Sequence, residues 1–82
     1  MIEATDVQKL IEDNMPGAKV IVEDPYNDKT HLRAIIISSD FEGQSRIAQH
    51  RMVYKALGDA FAGPLHALQI NTQTPEEAEK NA

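Results

Sequence analysis

Three histidines, His31, His50 and His66, and the absence of any cysteine define the chemistry open to this chain. Imidazole is a common metal ligand and the side chain that moves protons near neutral pH. Disulfides, thiol catalysis and self-contained cysteine-based zinc or iron–sulfur sites are excluded. Two histidines do not close a zinc site, which usually takes four ligands. A [2Fe–2S] cluster does accept two imidazoles on one iron when sulfur ligands hold the other. If His31 and His66 are ligands, a second protein or a small thiol must complete the site. The residue types therefore favour a half-site over a metalloenzyme.

Two other chemistries are weighed against it. Asp40, Glu42 and Ser45 precede His50 and invite a catalytic account. Ser45 is explained as a helix cap, the acids fall in a turn, and no nucleophile-elbow or phosphate-loop motif is present. The chain is expected not to be an enzyme. Arg33, Arg46, Arg51 and Lys55 form a basic middle that offers phosphate contacts. The net charge of −5 argues against tight non-specific nucleic-acid binding. The plain alternative is that these are solvated helix residues.

The elements that must position these groups follow from periodicity. Thr5 with Gln8 three residues on marks a helix start, and Val7, Leu10, Ile11 and Met15 recur at helical spacing up to Pro16-Gly17. Helix one is predicted over about residues 5–15. Ala18–Glu23 is β-branched and short, and reads as a strand. Asp24–Thr30 is a cluster of turn formers, and His31–Ser38 is the second strand. The near-continuous apolar run of that second strand predicts a central position with both faces covered or nearly so.

Gly43 lies in the turn before helix two, and Ser45 is its N-cap. At about 100° per residue, Ile47, His50, Val53, Tyr54 and Leu57 fall on one packing face, with Ala48, Met52 and Ala56 as a smaller stripe. His50, central on that face, is expected to be a hydrogen-bonded core histidine. Gly58 fits the helix end, and Asp59–Pro64 adds a short turn. Leu65–Thr72 is the third strand, with Leu68 and Ile70 inward. Thr74-Pro75-Glu76-Glu77 starts a short, fraying helix over 75–82.

The order is α-β-β-α-β-α. A strand–helix–strand connection makes strands two and three a parallel pair, and strands one and two are antiparallel. The expected fold is α+β: a single two-layer domain, residues 1–82, with a three-stranded mixed sheet. His31 and His66 open the two parallel strands, which places them at one rim of the sheet. Neighbouring strands lie about 4.8 Å apart, so the separation permits a shared ligand. No apolar run approaches bilayer length, and the N-terminus lacks a signal-peptide pattern, so a cytoplasmic protein without membrane contact is expected.

Phe41-Glu42-Gly43-Gln44-Ser45-Arg46-Ile47-Ala48-Gln49-His50-Arg51-Met52-Val53-Tyr54 resembles the BolA signature, F-x-G-x-S-x-x-x-x-H-R-x-V-Y. The segment from Leu65-His66-Ala67-Leu68 to Thr74-Pro75-Glu76-Glu77 looks like its companion motif. One departure is Gln49, where the signature often has Arg; it weakens a basic-helix account. The resemblance implies a class II KH-like fold. It implies a monothiol (CGFS-type) glutaredoxin as partner, bridged by a [2Fe–2S] cluster whose thiolates come from the glutaredoxin and glutathione. The ligand positions of the family match His66 and His31, and a histidine at the latter resembles the histidine-type branch. The isolated chain would carry no cluster and would be a monomer or weak homodimer. The family's regulatory roles imply weak DNA binding as the alternative, although no Gly-x-x-Gly loop of the KH kind is present.

Overall fold

A computed structural model describes residues 4–27, 31–58 and 68–80. The elements are α1 (Ala4–Asn14), β1 (Lys19–Glu23), β2 (Arg33–Ile37), a 3-10 turn (Ser39–Phe41), α2 (Arg46–Leu57), β3 (Gln69–Gln73) and α3 (Pro75–Lys80). The order matches the α-β-β-α-β-α expectation. Thr5, expected as the first cap, lies inside the first turn of α1.

Each boundary has a local cause. Met15 N–H closes the last turn of α1 on Ile11 O (2.8 Å), and the chain then reverses through Pro16-Gly17. Gly43 adopts φ +78°, a left-handed conformation that a residue with a Cβ enters at a cost, and so releases the chain from the 3-10 turn. Ser45 caps α2: its Oγ accepts from Ala48 N–H at 3.1 Å. At the other end Gly58 N–H donates to Tyr54 O. Thr74 and Glu77 form a reciprocal capping box for α3. Thr74 N–H donates to Glu77 Oε1 (2.9 Å), and Glu77 N–H donates to Thr74 Oγ1 (3.2 Å).

The sheet order is β1-β2-β3. β1 pairs antiparallel with β2, and β2 pairs parallel with β3, placing Arg33 opposite Gln69 and Ile36 opposite Thr72. Strand two is central, as its composition predicts. Its two faces differ, however. Val20, Ala34, Ile36 and Thr72 point into one core with Val7, Ile11, Phe41, Val53 and Leu57. The opposite face carries Lys19, Ile21, Arg33, Ile35 and Ile37, all exposed or half-buried. The expectation that both faces of strand two are covered is therefore corrected. The core gathers α1 and α2 on a single side, so the isoleucines of alternate register stay open.

Helix α2 corrects a second expectation. Its buried residues are Gln49, Val53, Ala56 and Leu57. Ile47 is 67% exposed and Tyr54 39% exposed, although helical spacing places both on the packing face. The helix is rotated so that a polar glutamine faces the core, for reasons that lie in its hydrogen bonds.

Candidate functional site

The parallel pairing of β2 with β3 brings the starts of both strands to one end of the sheet. Gln69 N–H donates to Leu32 O at 2.8 Å, so the first residue of β3 is bonded to the residue after His31. His31 sits in a bend two residues before β2 and is exposed. Its ring meets Tyr26 edge to face, with centroids 5.8 Å apart and an interplanar angle of 86°. Pro25, Tyr26, His31, Leu32, Arg33 and Gln69 line a shallow cavity of about 130 Å³ at this rim. The second expected ligand, His66, lies outside the described residues, as does the Asp59–Pro64 turn. Among the described residues no group of three or more His, Cys, Asp or Glu is arranged to hold a metal ion. No helix among them is long and apolar enough to cross a membrane.

His50 occupies neither this rim nor the core. It is half-buried on the flank of α2, its ring edge-on to Tyr54 with centroids 6.5 Å apart. It lines a polar groove of about 360 Å³ with Arg46, Ile70, Asn71, Thr72, Gln73 and Glu77. The core position expected for His50 belongs to its neighbour, Gln49. Gln49 Nε2 donates to Phe41 O (3.1 Å) and Gln44 O (3.0 Å). Its Oε1 accepts from Thr72 Oγ1 (2.7 Å) and from Arg46 (3.1 Å). All four polar sites used by this amide are paired, which makes a buried glutamine tolerable.

Hydropathy alone does not mark Gln49 as a core residue, and its departure from the Arg of the signature bears on charge rather than on packing. The spacing of Gln49, Val53 and Ala56 is itself helical, and a glutamine leading an apolar face was the available signal.

The basic residues divide into two pairs. Arg46 donates to Thr72 O, Thr72 Oγ1 and Gln49 Oε1, and lies 3.4 Å from Glu77 Oε2. It thereby ties the start of α2 to the outer edge of β3 and to α3. Arg33 lies 3.7 Å from Glu23 across the β1–β2 pair, and its Nε donates to Gln69 Oε1 at 3.5 Å. Arg51 and Lys55 are exposed, and among the described residues they have no ion-pair partner. The Thr74 amide bond holds the Glu77 carboxyl below the usual glutamate range; desolvation opposes it, and the Thr74 hydroxyl and Arg46 add smaller lowering effects.

The comparisons with known proteins agree with this architecture. Residues 7–77 match the family described as BolA-like protein. Mouse BolA-like protein 1 is 44% identical over 57 residues, which take in 70% of this chain and 42% of that protein. The chain thus spans less than half the length of that curated relative. A Vibrio cholerae protein named DNA-binding transcriptional regulator BolA is 34% identical over 83 residues, covering 94% of this chain and 78% of that one. The structure of a BolA homologue from Coxiella burnetii superposes with a TM-score of 0.83 at 36% identity, covering 96% of this chain and 99% of that one.

Proposed function

Because the chain belongs to the BolA-like protein family, we propose that it is a non-enzymatic adaptor that binds a monothiol glutaredoxin and lends His31 and His66 to a [2Fe–2S] cluster shared between the two proteins. The cluster is cargo or signal, in iron–sulfur trafficking or in iron and redox regulation. The glutaredoxin and glutathione supply the sulfur ligands that a chain without cysteine cannot.

The observation that carries the proposal is the position of His31. It is exposed at the end of the sheet where β2 and β3 both begin, and a partner's ligands can reach it there. Its imidazole is a ligand type suited to iron. Tyr26, edge-on to the ring, restricts how the imidazole is presented.

Mixing the chain with a cluster-loaded monothiol glutaredoxin should give a heterodimer with an altered visible absorption spectrum. His66→Ala should remove the alteration, and His31→Ala should weaken it. An unchanged spectrum with the wild-type chain would refute the proposal.

A second proposal rests on the exposed pair Arg51 and Lys55 and on the name of the Vibrio cholerae relative. Here the chain is a DNA-binding regulator, and these two side chains contact phosphates while Arg33 and Arg46 remain engaged within the fold. Replacing both with alanine should lower the salt dependence of DNA affinity by about two counterions. Binding that vanishes at moderate salt with no sequence preference would argue against a regulator.

A further inference from the structure

The outer edge of β3 presents the backbone of one residue and, beyond it, a cation. β3 is a terminal strand of the sheet. Gln69 N–H donates to Leu32 O (2.8 Å) and Ser38 N–H donates to Gln73 O (3.0 Å), so Gln69, Asn71 and Gln73 turn their backbone groups toward β2. Ile70 and Thr72, which alternate with them, turn theirs outward. Thr72 O accepts from Arg46, and Thr72 is 1% exposed, so the edge is closed there. Ile70 N–H and Ile70 O have no partner among the described residues. Ile70 lines the polar groove of about 360 Å³ whose other walls include Arg46 and His50 of α2 and Glu77 of α3. Along the strand, the edge thus offers a donor, an acceptor and then the Arg46 guanidinium.

We infer that this edge binds the C-terminal three residues of another polypeptide, added as a short parallel strand that ends in a free carboxylate. The carbonyl of the third residue from the end accepts from Ile70 N–H. The N–H of the last residue donates to Ile70 O. The terminal carboxylate then reaches Arg46, whose side chain is 55% exposed. A longer parallel strand would bring its next inward N–H to Thr72 O, which Arg46 already occupies, and would leave that donor unpaired. An antiparallel strand meets the same conflict unless it begins there, and its terminal ammonium would then face the guanidinium. A parallel strand that stops at Arg46 leaves no donor unpaired and sets opposite charges together.

Glu77 is the opposing group in the groove. Its Oε2 lies 3.4 Å from the same guanidinium, and its side chain is 43% exposed. It competes with the incoming carboxylate and holds the affinity down. The penultimate side chain of the peptide falls on the helix side of the sheet, as that of Ile70 does, beside His50. The groove and the cavity beside His31 have no lining residue in common, so a bound peptide leaves His31 uncovered.

Two backbone bonds and one exposed ion pair hold a peptide weakly, with a Kd of about 1 mM. Amide-resolved NMR titration of the isotope-labelled chain with the peptide acetyl-Ser-Val-Thr-Leu-Val, carried to about 5 mM, reads binding of that strength. The free acid should shift the Ile70 amide signal in a saturable way. The same peptide with an amidated C-terminus should bind about fivefold more weakly. N-methylation of its last residue removes the donor to Ile70 O and should weaken binding about tenfold. N-methylation of the penultimate residue, whose N–H points away from β3, should change binding less than about twofold. Glu77→Gln keeps the cap of α3 and should tighten binding about twofold. The absence of any shift at Ile70 at the highest peptide concentration overturns the inference. So does equal binding of the acid and the amide, an equal effect of the two N-methylations, or a Glu77→Gln chain that binds the acid more weakly.

Discussion

Replacing Gln49 with methionine keeps the length and unbranched shape of the side chain and removes every hydrogen bond it makes. The expected loss follows from where its partners lie. Gln44 O and the Arg46 guanidinium are only part-buried, so water replaces Gln49 there at little cost. Phe41 O and the Thr72 hydroxyl are enclosed by the core, and Thr72 is 1% exposed; Phe41 O keeps the Gln44 N–H but loses its second donor, and the Thr72 hydroxyl keeps Arg46 as donor but loses the acceptor of its own proton. Each buried group deprived of a partner costs about 1–3 kcal/mol. The apolar thioether regains about 1 kcal/mol on burial. Because each group keeps one bond, both costs fall in the lower half of that range, and Gln49→Met should destabilise the fold by about 2 kcal/mol, against the roughly 4–12 kcal/mol expected for a domain of this size. Urea unfolding followed by far-ultraviolet circular dichroism reads the change. At a slope of about 1 kcal/mol per molar urea, the midpoint should fall by about 2 M. Thr72→Val alone should cost less, and the double variant should cost at least about 1 kcal/mol less than the sum, because the two side chains share one bond. A loss below about 1 kcal/mol for Gln49→Met, or strict additivity with Thr72→Val, would show that the buried amide does not hold α2 against β3.

Two further outcomes are expected. Ile47→Lys should leave stability within about 0.5 kcal/mol, since the side chain is 67% exposed, whereas Val53→Ala, at a fully buried position, should cost about 2 kcal/mol in the same urea experiment; equal losses would return Ile47 to the packing face. Glu77 has its carboxyl held below the usual range by Thr74 and then Arg46, so its ionised form stabilises the fold above that range, and the contribution disappears as pH falls through the lowered value. Thermal unfolding between about pH 6 and pH 2 should show a shallower loss of stability for Glu77→Gln than for wild type, and identical profiles would contradict the capping-box account.

Much of this protein was legible as a string. The caps at Ser45 and Thr74, the left-handed turn at Gly43 and the ends of α2 obey rules that act within about four residues, and the string contains all that such rules need. The alternation of apolar periods set the element order, and the helical crossover between β2 and β3 made that pair parallel and brought their starts together. The position of His31, at the rim where those strands begin, follows from the same topology.

The rotation of α2 was not legible, and with it the places of Ile47, His50, Gln49 and Tyr54. That rotation is pinned by Thr72 and Arg46, whose contacts bridge 23 and 26 residues of sequence. Hydropathy ranks glutamine as a surface residue, but a carbonyl at Phe41 and a hydroxyl at Thr72 make the core polar at one point, and the amide of Gln49, donor and acceptor at once, satisfies both. The bare face of β2 was equally hidden, because a run of isoleucines reads alike whether one or two layers cover it. Local chemistry chose the elements; which sides of them meet was decided by polar groups far apart in the chain, Gln49, Arg46 and Thr72, that pair with one another across the core.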